Sequence, residues 1–280
     1  MGLKRLSILG VGLLGGSIGL AVRKLLNDCT VVGYGHRPAT LNEALALGAI
    51  QEASPSAAKA VNAADFVILC TPVGIFDEVL EQIAPVLVPG AIVTDVGSTK
   101  RSVVAAAERL LPPGVWFVGS HPMAGSEKRG VHYAEASLFE GAVCITTPTA
   151  HTNPAALETV ENFWKLLGMQ LVRLSPAEHD RRLADVSHLP HALAAALVSL
   201  QEEASLPLAG KGFLDSTRIA AGDGGLWRDI FVDNRDNLRD SLRRFRLQLD
   251  RLDAFLAATD TEAVKSWLEA AAARRQTLNP

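Results

Sequence analysis

The chain has 280 residues, 48% of them hydrophobic and 20% charged, with a formal net charge of −3 and both signs dispersed along it. That length can bury the core of one large or two ordinary domains, and the charge balance gives no electrostatic footprint for nucleic acid or an anionic membrane. Cys29, Cys70 and Cys144 are odd in number and far apart. They fit neither a disulfide framework nor a metal site, which points to a reducing, cytoplasmic setting.

Lys4 and Arg5 followed by the apolar residues 6–22 have the outline of a signal peptide, but Gly10, Gly12, Gly15, Gly16 and Gly19 interrupt it. Leu6 also stands where a myristoylation signal requires Ser or Thr. The stretch reads better as a strand over 6–9, the turn Gly10-Val11-Gly12-Leu13-Leu14-Gly15, and a helix to about residue 26. In such a G-x-G-x-x-G turn the first glycine permits the bend, the second lets a pyrophosphate approach the backbone, and the third packs helix on strand. A strand over 30–34 ends about 20 residues later, where an NAD site places an acid for the ribose. Here the residues are Gly35-His36-Arg37. Arg37 can pair with a 2′-phosphate, which favours NADP over NAD; the alternative is a solvated loop arginine.

Helical and strand patterns then alternate. A helix over 39–47 precedes a strand over 66–70 that ends at Thr71-Pro72, and a helix over 75–87 stops before Pro89-Gly90. A strand over 91–94 leads into Asp95-Val96-Gly97-Ser98-Thr99-Lys100, followed by a helix over 101–111. A strand over 115–118 then opens into a polar loop with His121 at its mouth. Strands over 142–147 and 169–174, with a helix over 153–167 between them, complete the half. The pattern predicts a Rossmann-type, doubly wound parallel sheet whose strand ends at 71–72, 95–100 and 120–127 line one crevice with the glycine turn.

From Ser175-Pro176 onward only helical periodicity remains, so the boundary falls there: a dinucleotide-binding domain over 1–174 and a helical substrate and dimerisation domain over 175–280. His179-Asp180 falls on the first turn, and Pro190 in Ser187-His188-Leu189-Pro190-His191 is expected to kink the helix near Val186. Residues 192–200 are apolar nearly all round, which means a buried helix or a subunit interface and is too short for a membrane span. Phe231, Leu238, Leu242, Phe245, Leu249, Leu252 and Leu256 form a helical stripe for core or dimer packing. Arg239, Asp240, Arg243, Arg244, Asp250 and Asp253 opposite it read as a solvated face. Between them lies Gly212-Phe213-Leu214-Asp215-Ser216-Thr217-Arg218-Ile219-Ala220, where Arg218 either pairs with Asp215 or reaches a substrate carboxylate.

His121-Pro122-Met123-Ala124-Gly125, the upstream Asp95-Val96-Gly97-Ser98, Ser187-His188-Leu189-Pro190, and the segment from Gly212-Phe213 through Thr217-Arg218 to Trp227 together resemble the prephenate/arogenate dehydrogenases of tyrosine biosynthesis. The resemblance spans the chain in order. It implies oxidative decarboxylation of prephenate or arogenate with hydride transfer to NADP or NAD, and a homodimer formed through the C-terminal helices. It gives His121 the 4-hydroxyl of the substrate to polarise or deprotonate, with Ser98 between hydroxyl, histidine and nicotinamide. It gives Arg218 a substrate carboxylate, and it places Glu127, His191, Asp180 and Trp227 around the pocket. Residues Gly10, Gly12, Leu13, Leu14, Gly15, His36, Arg37, Thr71 and Pro72 would hold the cofactor. His179 and His188 are read as capping and packing residues. Relatives with a fused chorismate mutase or a regulatory domain are longer than this chain. Leu214 stands where relatives often carry a basic or polar residue, which leaves prephenate against arogenate open, although His191 suits prephenate.

Two other readings share parts of this evidence. A β-hydroxyacid dehydrogenase uses a catalytic lysine on a helix, whereas Lys211 is read here as lying in a loop. A non-catalytic NADP sensor needs the glycine turn but has no need of His121, Ser98 and Arg218 together.

Overall fold

The structure, a computed structural model, describes residues 2–278. Two compact units divide the chain, one ending at Asn234 and the other beginning at Arg235.

In the first unit the order is β1 (Arg5–Leu9), α1 (Leu13–Leu25), β2 (Thr30–Tyr34), α2 (Pro38–Ala46), β3 (Glu52–Ser54), α3 (Ala57–Ala60), β4 (Phe66–Leu69), α4 (Phe76–Ile83), β5 (Ile92–Asp95), α5 (Arg101–Leu110), β6 (Trp116–Pro122), β7 (Val143–Thr147), α6 (Pro154–Leu166) and β8 (Gln170–Arg173). Among the described residues the strands form one sheet in the order β3-β2-β1-β4-β5-β6-β7-β8. Strand order reverses between β1 and β4, which opens the crevice where such sheets hold ligands. Helices cover both faces, so the central strands are apolar throughout: all four residues of β4 are buried. Alternate residues serve opposite layers. Ile8 and Ile68 pack with Ile18, Phe163 and Trp164, while Leu9 and Leu69 pack with Phe76 and Leu80.

The sheet departs from the expected all-parallel pattern at its far side, where β7 runs antiparallel to β6 and β8 follows β7. This changes the setting of His121. Residues 116–118 of β6 pair with β5, and from Gly119 the strand continues against β7, with His121 opposite Ile145. The histidine therefore sits within a strand rather than in a loop, because β7 supplies backbone partners beyond the end of β5. Strand β3 and helix α3 were not expected; two of the three residues in β3 are exposed, so that edge strand carries no apolar signal. The helix expected over 75–87 is confined to α4, flanked by 3₁₀ turns at Val73–Ile75 and Ala84–Val86, the second containing Pro85, which has no N–H to donate.

Helices α7 (Pro176–Leu183), α8 (Leu189–Ser199), α9 (Lys211–Thr217) and α10 (Gly224–Asp233) complete the unit. Ser175 caps α7 by accepting from the Glu178 amide at 3.2 Å. The kink expected near Val186 takes the form of a π-helical turn over Ala184–His188, which leads into the first turn of α8, where Pro190 sits. Lys211 and Gly212, read as loop residues, open α9, and Arg218 begins the 3₁₀ turn Arg218–Ala221 that follows it. The apolar segment 192–200 is not buried at its far end: Leu200 is 76% exposed.

The second unit is a helical hairpin, α11 (Arg235–Ala257) and α12 (Thr261–Gln276), with Asp260 capping α12. Asp240 pairs with Arg243 and Arg244 on its own helix, as expected of a solvated face. Leu249 and Leu256 of the apolar stripe are exposed. No helix among the described residues is long and apolar enough to cross a membrane.

Close packing of α1 depends on Gly19, where an added Cβ would lie 2.0 Å from the Ala49 carbonyl oxygen. Gly19→Ala should lower stability by about 1–3 kcal/mol through overpacking. Urea unfolding measures this, and an unchanged midpoint would show that α1 does not approach that backbone so closely.

Candidate active site

The glycine turn shows the division of labour its spacing predicts. Gly10 has φ +109° and would carry a Cβ 2.6 Å from the Cys70 carbonyl oxygen, while a Cβ on Gly15 would lie 2.2 Å from the Gly10 carbonyl oxygen. At Gly12 nothing lies within 4 Å of such a Cβ. Gly12 is the N-cap of α1, whose first turn, with Leu13 and Leu14, has no side-chain cap and no acid. An open cradle at an uncapped helix N-terminus suits a phosphate. Thr71, next to the Gly10 position, has a buried hydroxyl with no partner among the described residues, and Pro72 after it is exposed. His36 and Arg37 are exposed just past the end of β2, and Arg37 has no ion pair among the described residues. These residues fit a dinucleotide.

A hydrogen-bonded relay lies at the ends of β5 and β6. His121 Nδ1 and His179 Nε2 are 2.9 Å apart, and His179 Nδ1 lies 2.8 Å from Asp180 Oδ1. Asp180 also accepts from the main-chain amides of Lys100 (2.7 Å) and Arg101 (2.9 Å), which start α5. The carboxylate fixes the tautomers: His179 donates from Nδ1 to Asp180, so its Nε2 accepts from His121 Nδ1–H. His121 Nε2 is then left with a lone pair and no hydrogen bond among the described residues. Asn234 donates to the Asp180 carbonyl at 2.7 Å and lies 3.1 Å from His188 Nδ1.

Electrostatics keep the three rings neutral. Burial, reinforced by His179, Lys100 and His188, holds the His121 imidazole well below the usual histidine range. Burial also lowers His179 against the opposing pull of Asp180, and lowers His188 to about 4. For Asp180 burial alone would favour the acid, but the donors from His179, Arg101 and Lys100 prevail and keep it ionised.

Around this relay stand the groups of the helical segment. Arg218 pairs with Glu127 rather than with Asp215, and Arg129 of the same loop pairs with Asp223. His191 is buried, stacks on Trp227 with ring centroids 3.5 Å apart, and its Nδ1 has no partner among the described residues. Phe231 meets both rings edge-on. Ser98 is half-buried between Asp95 and Lys100, and those two form a fully buried ion pair.

Several members of this hydrogen-bonded cluster escaped the sequence reading. His179 neither caps a helix nor packs against a kink but joins His121 to Asp180; adjacency of His179 and Asp180 just after a helix start was its only signal. Lys100 and Asn234 gave none, since nothing local shows that a lysine opening a helix or an asparagine ending one will be buried.

Residues 18–173 match the family model for the nucleotide-binding domain of prephenate dehydrogenase, and residues 175–270 match that for its dimerization domain. The prephenate dehydrogenase of Bacillus subtilis is 38% identical over 260 residues, covering 90% of this chain and 70% of that protein. Among solved structures, prephenate dehydrogenase from A. aeolicus in complex with hydroxyphenyl propionate and NAD+ aligns with a TM-score of 0.93 at 35% identity, over 100% of this chain and 99% of that one. Synechocystis arogenate dehydrogenase aligns with a TM-score of 0.82 at 29% identity, over 97% and 99%. With both halves matched in order and the site assembled between the ends of β5 and β6, the chain belongs to the prephenate dehydrogenase family.

Proposed function

We propose that this chain catalyses the oxidative decarboxylation of prephenate, arogenate or both in tyrosine biosynthesis, with NADP favoured over NAD. The observation that carries the reading is the relay, which leaves a neutral His121 near the end of β6 with an Nε2 that has no hydrogen bond among the described residues. When bound, the nicotinamide supplies the acceptor for the hydride that leaves the ring carbon bearing the 4-hydroxyl. His121 Nε2 accepts the hydroxyl proton as that bond breaks, and the ring carboxylate departs as carbon dioxide, its electron pair completing the aromatic ring. His179 and Asp180 hold His121 in the accepting tautomer and stabilise the positive charge that develops on it. Ser98 supplies a hydroxyl at the same strand end. Arg218 takes a substrate carboxylate in exchange for Glu127, and His191 with Trp227 forms the wall against the side chain.

Arg37 supports NADP, since it is exposed beyond β2 and free of ion pairs among the described residues. We place the domain boundary at 174/175, a position supported by the Ser175 cap with Pro176 behind it. We also propose a homodimer through the C-terminal helices. Exposed Leu197, Val198 and Leu200 of the first unit, and Leu249, Leu256 and Leu268 of the second, leave apolar surface that a second copy would cover. Free Cys29, Cys70 and Cys144 accord with the cytoplasm.

The first test is initial-rate kinetics by nicotinamide absorbance, with prephenate and arogenate each against NADP and NAD. Turnover is expected with at least one substrate, with Arg37→Ala raising KM for NADP and leaving that for NAD alone. Silence in all four combinations from protein that binds NADP would replace this reading with a sensor. His179→Ala is expected to lower kcat by about a hundredfold with little change in substrate KM, because it releases the tautomer of His121 without removing a substrate contact. A raised KM at full kcat would instead make His179 a binding residue.

Stability should also depend on these neutral rings. His188 has a folded-state pKa of about 4 against an ordinary value of 6.5, so its contribution is complete above pH 6.5 and is lost as pH falls through 4, by up to about 3 kcal/mol. Urea midpoints should therefore fall more steeply over that window in the native chain than in His188→Gln. Equal slopes would show that His188 protonates without cost.

A further inference from the structure

The segment from Asp95 to Lys100 holds both ends of the relay. At one end Asp95 Oδ1 accepts from the Ser120 amide at 3.0 Å, and the Asp95 carbonyl accepts from the Ser120 hydroxyl at 2.5 Å. That fixes the residue immediately before His121. At the other end the Lys100 amide donates to Asp180 Oδ1 at 2.7 Å. The Lys100 ammonium turns back to pair with Asp95 Oδ2, which also takes the Gly97 amide at 2.8 Å, and both charged side chains are wholly buried. Neighbouring glycines make room for it. A Cβ on Gly97 would lie 3.3 Å from Lys100 Nζ, and one on Gly119 would lie 3.5 Å from Lys100 Cδ.

We propose that Lys100 is a positioning residue for His121: paired with Asp95 it closes the 95–100 segment into a brace that keeps His121 and Asp180 in relay. A cation needed only to fill space would be an expensive choice, since a buried ion pair can commonly be replaced by apolar residues without loss of stability. The groups that bear on His121 are His179, which it meets at 2.9 Å with Asp180 behind it, His188 from the π turn and Lys100 from the β5–α5 segment, while the Cys144 thiol of β7 lies against the His121 backbone. Burial and His179 act first to disfavour protonation of His121, and Lys100, paired with Asp95, adds to them. This inference rests on His121 being the base, so its test has an arm that needs no turnover.

The variants are Lys100→Met and the neutral pair Asp95→Asn/Lys100→Met, the second avoiding an uncompensated buried carboxylate. In the full chain without substrate, ¹⁵N-detected histidine NMR across pH reads the His121 titration and tautomer directly. Removal of the cation should move the midpoint up and weaken the Nδ1–H tautomer in whichever variant folds. In kinetics, kcat/KM at pH 6 relative to pH 8 should fall about tenfold, because more of the base is protonated, while nicotinamide KM stays put. A folded variant with the native titration and the native rate ratio overturns the proposal. So does failure of both variants to fold, which would make Lys100 a folding element. If the titration moves but the native chain turns over neither substrate, the placement of Lys100 stands and the proposed reaction falls.

Discussion

The structure of the site depends on one buried carboxylate. Asp180, 3% exposed, accepts from two main-chain amides at the start of α5 and from His179, so it satisfies a helix N-terminus and orients a histidine at once. The helix dipole and charge-assisted hydrogen bonds favour the anion there, outweighing the cost of burying it. Its own main-chain carbonyl accepts from the Asn234 side-chain amide, which ties the end of α10 to the middle of α7. Loss of the carboxylate would leave those donors unpaired in a dry interior, at about 1–3 kcal/mol for each. Packing and chemistry therefore share one anchor, and neither can be altered alone.

A different balance governs the outer wall. Arg218 and Glu127 meet in a largely solvated pair, where water competes for both charges and the attraction is weak. Arg129 and Asp223 repeat the arrangement from the same loop. Such pairs can be exchanged for an incoming carboxylate at little cost, whereas the buried relay cannot be rearranged without exposing charge to an apolar interior. A rigid buried cluster thus stands beside exposed ion pairs that are free to rearrange.

How far the sequence revealed this follows from where each signal resides. The glycine turn, the central strands and the helix starts are local: Gly10, Gly12 and Gly15 have distinct steric duties that spacing alone announces, and the buried run of β4 needs no partner to be recognised. Strand direction is not local. Nothing within residues 119–122 shows that they pair with β7, so His121 read as a loop residue although it lies within a strand. Relay membership is less local still, because His121 and His179 are 58 residues apart and meet only through the sheet and α7. Lys100 looked like an ordinary helix-start lysine because the carboxylate that buries it, Asp95, is displaced from it by a turn whose shape the sequence does not spell out.

The π turn at Ala184–His188 has a geometric consequence for the histidines on either side of it. At about 100° per residue, an unbroken α-helix would carry His188 through about 900° from His179 and set the two rings on opposite faces. The wider turn absorbs roughly one residue of that rotation, leaving them on adjacent faces. A chain with the same nine-residue step but an unbroken α-helix would present them on opposite faces. With the π turn in place one side chain, Asn234, reaches both the Asp180 carbonyl and His188 Nδ1.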